Sequence, residues 1–204
     1  RLIALLHDIG RFEQLKRYDS FEPGTMDHAA YGVKVLFNEG MIRRFLPDDK
    51  WDSIIYTAIA HHSNYELPEI SDPQTLLHAK LIRDEDKLDN CRVKLVDSTS
   101  TFINVSEEEL GTQNITQKVY ETVFENKCIL SADRVTQMDY WVSYIVYFFD
   151  INFKESFDII AENDYLNRII DRIPYSNPVT KEQMENIRVY MQNFINSHTN
   201  SQSF

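Results

Sequence analysis

Apolar positions recur along this chain at three- and four-residue intervals almost from end to end. That is the spacing of one helical face, not the alternation of a strand. The pattern predicts the last turns of a helix over residues 1–9, with Gly10 as its C-terminal stop. In TMDHAAYGVKVLFNEG, His28, Gly32, Val35 and Leu36 share one stripe, and Gly40 closes it. Asp48 or Asp49 is placed to cap a helix over DKWDSIIYTAIAHH, before Pro68 forces a break. A long helix, PQTLLHAKLIRDEDKLDNCRVKLV, opens after Asp72 with Pro73 in its first turn. Residues 97–115 are rich in Ser, Thr, Asn and Glu and read as a loop holding one turn of helix. Further helices are predicted over 116–127, 133–150, 153–172 (broken near Asn163) and 179–197, the last two separated by Pro174 and Pro178. The tail SHTNSQSF is expected to fray. With no internal repeat, the expectation is an all-α, single-domain fold over 1–204. The helices of 1–96 would carry the polar constellation described below, 97–115 would form the loop, and 116–204 would complete the core.

Composition changes this picture little. A chain of 204 residues can bury a sizeable core, and five Gly with six Pro is thin punctuation for a β-rich fold. Cys91 and Cys128 fit no spaced metal motif, so a reduced, cytoplasmic chain is the simplest account. The net charge of −11 argues against a nucleic-acid duplex as partner, because phosphate backbones demand clustered Lys and Arg. It leaves room for a small phosphorylated substrate held by a few local cations. The most apolar run, YWVSYIVYFF at 140–149, is far too short to cross a bilayer, and neither a membrane partner nor a signal peptide is expected. The chain opens at Arg1 in what reads as mid-helix, and is expected to be a fragment of a longer protein. Oligomeric state is left open, a homodimer included.

The chemistry lies in polar residues on faces that ought to be buried. LLHDIGRF, residues 5–12, ends an apolar segment in His7 and Asp8. Ile55, Ile59 and His62 share a stripe, and Ile54, Ala58 and His61 share the adjacent one. Ala79, Ile82, Asp86 and Val93 align, while Asp84 sits with Leu77, Leu81 and Leu88. Buried carboxylates and imidazoles need partners, and metals are good ones. Each residue also has a bland reading: a single histidine as a hydrogen-bonded core residue, or Asp86 in an ion pair with Arg83. His78 reads as structural, and His198 belongs to the tail. What carries weight is the ordered set of HD, then His28, then HH, then an acidic cluster.

In that order the chain resembles the HD superfamily of metal-dependent phosphohydrolases. His7-Asp8 match the pair that names the superfamily, and IGR after it matches a frequent continuation. His28 in DHAAYG matches the histidine that binuclear members supply from the next helix, and His61-His62 match the following ligand positions. RDEDKLD resembles the closing D-x-D-K-x-x-D signature, whose second aspartate is the ligand, here Asp86. The resemblance spans residues 1 to about 90. It departs from two branches: NYELPEISDP replaces the Gly-Tyr-Pro motif of cyclic-dinucleotide phosphodiesterases, and HDIGRF replaces the HDxxED of (p)ppGpp hydrolases. The superfamily also places a further histidine ligand on a helix before the HD pair, expected here in the part preceding Arg1.

The resemblance implies a metal site of His7, Asp8, His28, His61, His62 and Asp86, holding one or two divalent ions. Mn²⁺, Fe²⁺, Co²⁺ or Mg²⁺ suits mixed imidazole and carboxylate donors. Asp8 would bridge two ions, with His7 and Asp86 on one and the remaining histidines on the other. A metal-activated water would then cleave a phosphate ester or anhydride, foremost in a nucleotide. Arg11 and Lys87 are the leading candidates to meet the phosphates beside catalytic Asp8. Lys80 and Arg83 extend the same helical side, whereas Lys16 and Arg17 read as solvated surface. Trp141, Tyr144, Ile145, Phe148 and Phe149 read as core, with a cover for a nucleobase as the minority reading. The competing class is an inactive HD-fold module that binds a nucleotide or a protein without turnover.

Overall fold

Asp72 sets the start of the longest helix: its carboxylate accepts from Thr75 N (2.8 Å) and Thr75 Oγ1 (2.6 Å), and Pro73 occupies the first helical position. That cap satisfies donors that have no partner inside the helix. The computed structural model describes residues 1–21 and 24–199, and the described chain is all-α, with no strand among the described residues. The chain divides into two compact units, Arg1–Asp86 and Lys87–Phe204.

The first unit contains α1 (Leu2–Leu6), α2 (Gly10–Tyr18), α3 (His28–Val33), α4 (Asp52–His61) and the first part of α5 (Pro73–Val96). A π-helical turn, Lys34–Asn38, continues α3, and Gly40 (φ +76°) leads into a 3-10 turn over Met41–Arg44. Leu6, Val33, Leu36, Ile42, Ile55 and Ile59 form the core. Asp27 caps α3 by accepting from Ala30 N at 2.9 Å. Neither Asp48 nor Asp49 caps α4; Trp51 takes the N-cap position, while Asp48 accepts from Lys50 N.

Gly10 corrects the sequence reading. It is not a helix stop but the first residue of α2, and it is buried. A Cβ at this position would meet the His28 carbonyl oxygen at 2.0 Å and Gly32 N at 3.0 Å. The glycine is therefore needed where α2 crosses the start of α3, and that crossing brings Asp8 to His28. Gly10→Ala is expected to destabilise the protein by about 1–3 kcal/mol, because a backbone carbonyl must move. Gly32→Ala should cost less, since its Cβ would be tight only against the Ile9 Cγ2 side-chain methyl, at 3.3 Å, with Gly10 N and the His7 carbonyl oxygen at ordinary contact distances of 3.5 and 3.8 Å. Urea unfolding of the two variants tests this, and equal midpoints would refute it.

The second unit continues with α6 (Thr99–Ile103), α7 (Glu107–Leu110), α8 (Gln117–Val123), α9 (Gln137–Ile145), α10 (Lys154–Glu162), α11 (Tyr165–Asp171) and α12 (Pro178–Thr199). The 97–115 stretch thus holds two short helices, anchored by buried Ile103, Val105, Leu110 and Ile115, which its polar composition hides. The break near Asn163 is real: Asp164 adopts φ +50° between α10 and α11. Residues 197–199 of the expected frayed tail are helical, and 200–204 lie outside the described residues. Trp141, Ile145 and Phe148 are fully buried, with Tyr144 and Phe149 packed against the same cluster, so they are core. No described helix is long and apolar enough to cross a membrane.

One buried carboxylate organises this unit. Asp139 Oδ1 accepts from Thr116 N (2.8 Å) and Thr116 Oγ1 (3.2 Å), while Oδ2 accepts from Val135 N and Thr136 N (3.0 Å each). It also closes the capping box of α9. Asp139→Asn turns one acceptor into a donor facing donors, and should cost about 1.5–3 kcal/mol. An unchanged melting temperature would count against this role.

Candidate metal centre

Four segments of the first unit bring imidazoles and carboxylates together. His7 is the C-cap of α1 and Asp8 follows it; His28 opens α3; His62 is the C-cap of α4; Asp86 lies on α5. Asp8 stands at the centre. Its Oδ1 is 3.3 Å from His28 Nε2 and 3.5 Å from His62 Nε2, and its Oδ2 is 3.8 Å from His7 Nε2. His7 Nε2 is also 3.8 Å from Asp86 Oδ1, and the Nε2 atoms of His28 and His62 are 3.1 Å apart. Among the described residues, His7, Asp8 and His62 form a group whose donor atoms all lie within 4.8 Å of one another.

The backbone decides which ring nitrogen each histidine offers. His7 Nδ1 lies 2.9 Å from the Ala4 carbonyl and His62 Nδ1 lies 2.7 Å from the Ile59 carbonyl. A carbonyl can only accept, so Nδ1 carries a proton in both rings; Nε2 is turned inward, a donor to the carboxylates when the ring is charged and the atom free to ligate a metal when the ring is neutral. Donation of the second ring N–H to a carbonyl is the support that metal-binding histidines use.

The electrostatics suit a cation. Burial works against charge on Asp8, but hydrogen bonds from His28 and His62 and the charge of Arg11 outweigh it, holding the carboxyl well below its ordinary range. Burial likewise opposes charge on Asp86, and the hydrogen bond from His7 keeps that carboxyl low as well. For His7, burial pulls the pKa down, yet Asp86 and Asp8 together raise it above its ordinary value. Burial pushes His28 below its ordinary value, against the pull of Asp8. Two ionised carboxylates and inward-facing imidazole nitrogens therefore share one cluster. This mixed, borderline-hard donor set fits a divalent ion such as Mn²⁺, Fe²⁺ or Co²⁺.

Not every expected residue joins them. His61 lies outside the close donor group, and its Nδ1 pairs with the Asn64 side-chain amide at 3.0 Å. Successive helical residues point about 100° apart, so the two histidines diverge. Lys87 falls in the second unit, where its buried ammonium pairs with Asp150 Oδ2 at 2.7 Å. That is a structural ion pair and not a cation presented to phosphate. Arg83 is 2% exposed and donates to backbone carbonyls, so it too is spent within the fold. Lys16 and Arg17 pair with Glu13 on the surface, as expected. Arg11 does reach the site: Nε donates to Asp8 Oδ1 at 3.3 Å and Nη1 to Gln14 Oε1 at 3.2 Å.

Sequence reasoning missed Gln14. It is buried, takes the Arg11 contact and donates from Nε2 to Thr25 Oγ1 at 2.8 Å, so it steadies the arginine. Its signal was a place one turn after Gly10 on the buried side of α2. An apolar groove of about 280 Å³ between α1, Trp51 and Leu81 includes none of the donor residues.

Residues 1–91 match the family model of the HD domain. The match takes in every donor from His7 to Asp86 and ends at Cys91 in α5. HD domains belong to a superfamily of metal-dependent hydrolases that typically bind divalent metals. No curated protein and no solved structure matches the chain.

Proposed function

We propose that this HD domain is a phosphohydrolase that cleaves a phosphate ester or anhydride of a small molecule, foremost a nucleotide. The observation that carries the reading is the convergence of His7, Asp8 and His62, with both histidines tied through Nδ1 to the backbone. His7, Asp8, Asp86 and His62 would hold a divalent ion, and His28, beside Asp8 and His62, would be a further ligand to it or to a second. A divalent ion bound there supplies Lewis acidity, polarising phosphoryl oxygens and lowering the pKa of water.

The chain's own residues do the remaining work. Asp8 stays ionised and orients Arg11 through its Nε. Arg11, with about a third of its side chain exposed (32%), is the cation offered to an incoming phosphate. The Phe21 ring lies 6.0 Å from its guanidinium carbon and is 45% exposed, a face on which a nucleobase can stack. That neighbourhood favours a nucleotide over a bare phosphate ester. The net charge of −11 favours a small substrate over a nucleic-acid duplex. Cys91 and Cys128 form no disulfide, in keeping with a cytoplasmic setting.

The test is phosphate release from nucleotides and p-nitrophenyl phosphate by the chain supplied with Mn²⁺, Co²⁺ or Mg²⁺. Metal-dependent turnover is the expected result. Absence of both turnover and metal uptake would overturn the reading. Nucleotide binding without turnover would assign the chain to the binding-module class.

A further inference from the structure

The end of α4 that carries His62 is closed by a side chain from another helix. Carbonyls in the last turn of a helix have no intrahelical donor. Arg83, on α5, is 2% exposed, and its Nη1 donates to the carbonyls of His61 (3.1 Å), His62 (3.1 Å) and Asn64 (2.6 Å). Its Nη2 donates to the Tyr65 carbonyl at 3.3 Å. One guanidinium thus gathers four carbonyls: those of His61 and His62 at the negative end of the α4 dipole, and those of Asn64 and Tyr65 in the turn that follows. Only a planar, permanently charged fork does this without a proton to lose. Asp86 follows three residues later on the same helix, so α5 grips the backbone of one donor residue and carries another.

We infer that Arg83 is a positioning residue for the metal centre. It fixes the α4 terminus so that His62 Nε2 and Asp86 keep their spacing, although its guanidinium serves carbonyls and not the ion. Divalent-metal affinity depends on it for that reason. The inference rests on the metal-binding reading proposed above, and its test separates the two.

Cobalt(II) titration of the full chain, followed by d–d absorption, is compared for wild type, Arg83→Met and Arg83→Lys. Arg83→Met keeps length and volume but donates nothing; its cobalt affinity should fall about 10–100-fold. Arg83→Lys, able to serve some of the carbonyls, should fall between the two. The histidine ring ¹⁵N–¹H spectrum supplies the second readout. In Arg83→Met the His62 Nδ1–H signal should shift or broaden while that of His7 persists, a selectivity that general loss of stability does not produce. Cobalt affinity within about twofold of wild type, with the His62 signal unmoved, would overturn the inference. If wild type takes up no cobalt, the metal reading falls and takes the inference with it; cobalt uptake that Arg83→Met leaves unchanged refutes the inference alone. If Arg83→Met does not fold, Arg83→Lys carries both readouts, with weakened cobalt binding and a displaced His62 signal expected.

Discussion

Asp8→Asn is expected to lose hydrolysis by several orders of magnitude and to strip the site of metal. The carboxylate lies within 3.8 Å of three imidazole Nε2 atoms and 3.3 Å of the Arg11 Nε. It is the anion around which those groups are arranged. An amide of the same shape removes the charge and turns an N–H₂ group toward donors or toward the ion. On the proposed reading the ion would supply both polarisation of the phosphoryl group and activation of water, so turnover should collapse with metal content. Metal analysis alongside steady-state kinetics reads both quantities. Turnover retained in Asp8→Asn would refute the mechanism at its centre.

Arg11→Ala should separate binding of metal from engagement of phosphate. Arg11 touches Asp8 from the side and offers no lone pair to a metal, so metal content should hold. On the proposed reading, what disappears is a preorganised cation, tied to both Asp8 and Gln14, that would meet charge on the transferred phosphoryl group. The expected loss is on the order of 10²–10³-fold in kcat/KM, about 3–4 kcal/mol of transition-state stabilisation. Unchanged kinetics with full metal content would remove Arg11 from the site. Loss of metal along with activity would make its role structural.

The errors in the sequence reading share one origin. On α5, Leu77 and Leu81 are 49% and 41% exposed while Arg83 is buried, the reverse of what hydropathy assigns. A buried guanidinium is tolerable where acceptors surround it, and the four carbonyls it meets, from His61 to Tyr65, belong to a distant segment. Lys87 reads as a free cation beside Asp86 until Asp150, sixty-three residues on, is found to neutralise it. Gly10 reads as a stop from its place after an apolar run; its need for a bare Cα appears only when the His28 carbonyl lies against it.

By itself the sequence determined the helical class, most helix positions and the segments that supply the donors. Those follow from periodicity, caps and the order of the HD pair, His28, the HH pair and Asp86, all carried in local chain chemistry. Only the tertiary structure decided which of those polar side chains meet. It chose His62 over His61 for the close donor group, turned Arg83 onto carbonyls, gave Lys87 to Asp150 and left Arg11 facing the pocket. Burial and pairing are properties of two segments brought together, so no reading of either segment alone contains them.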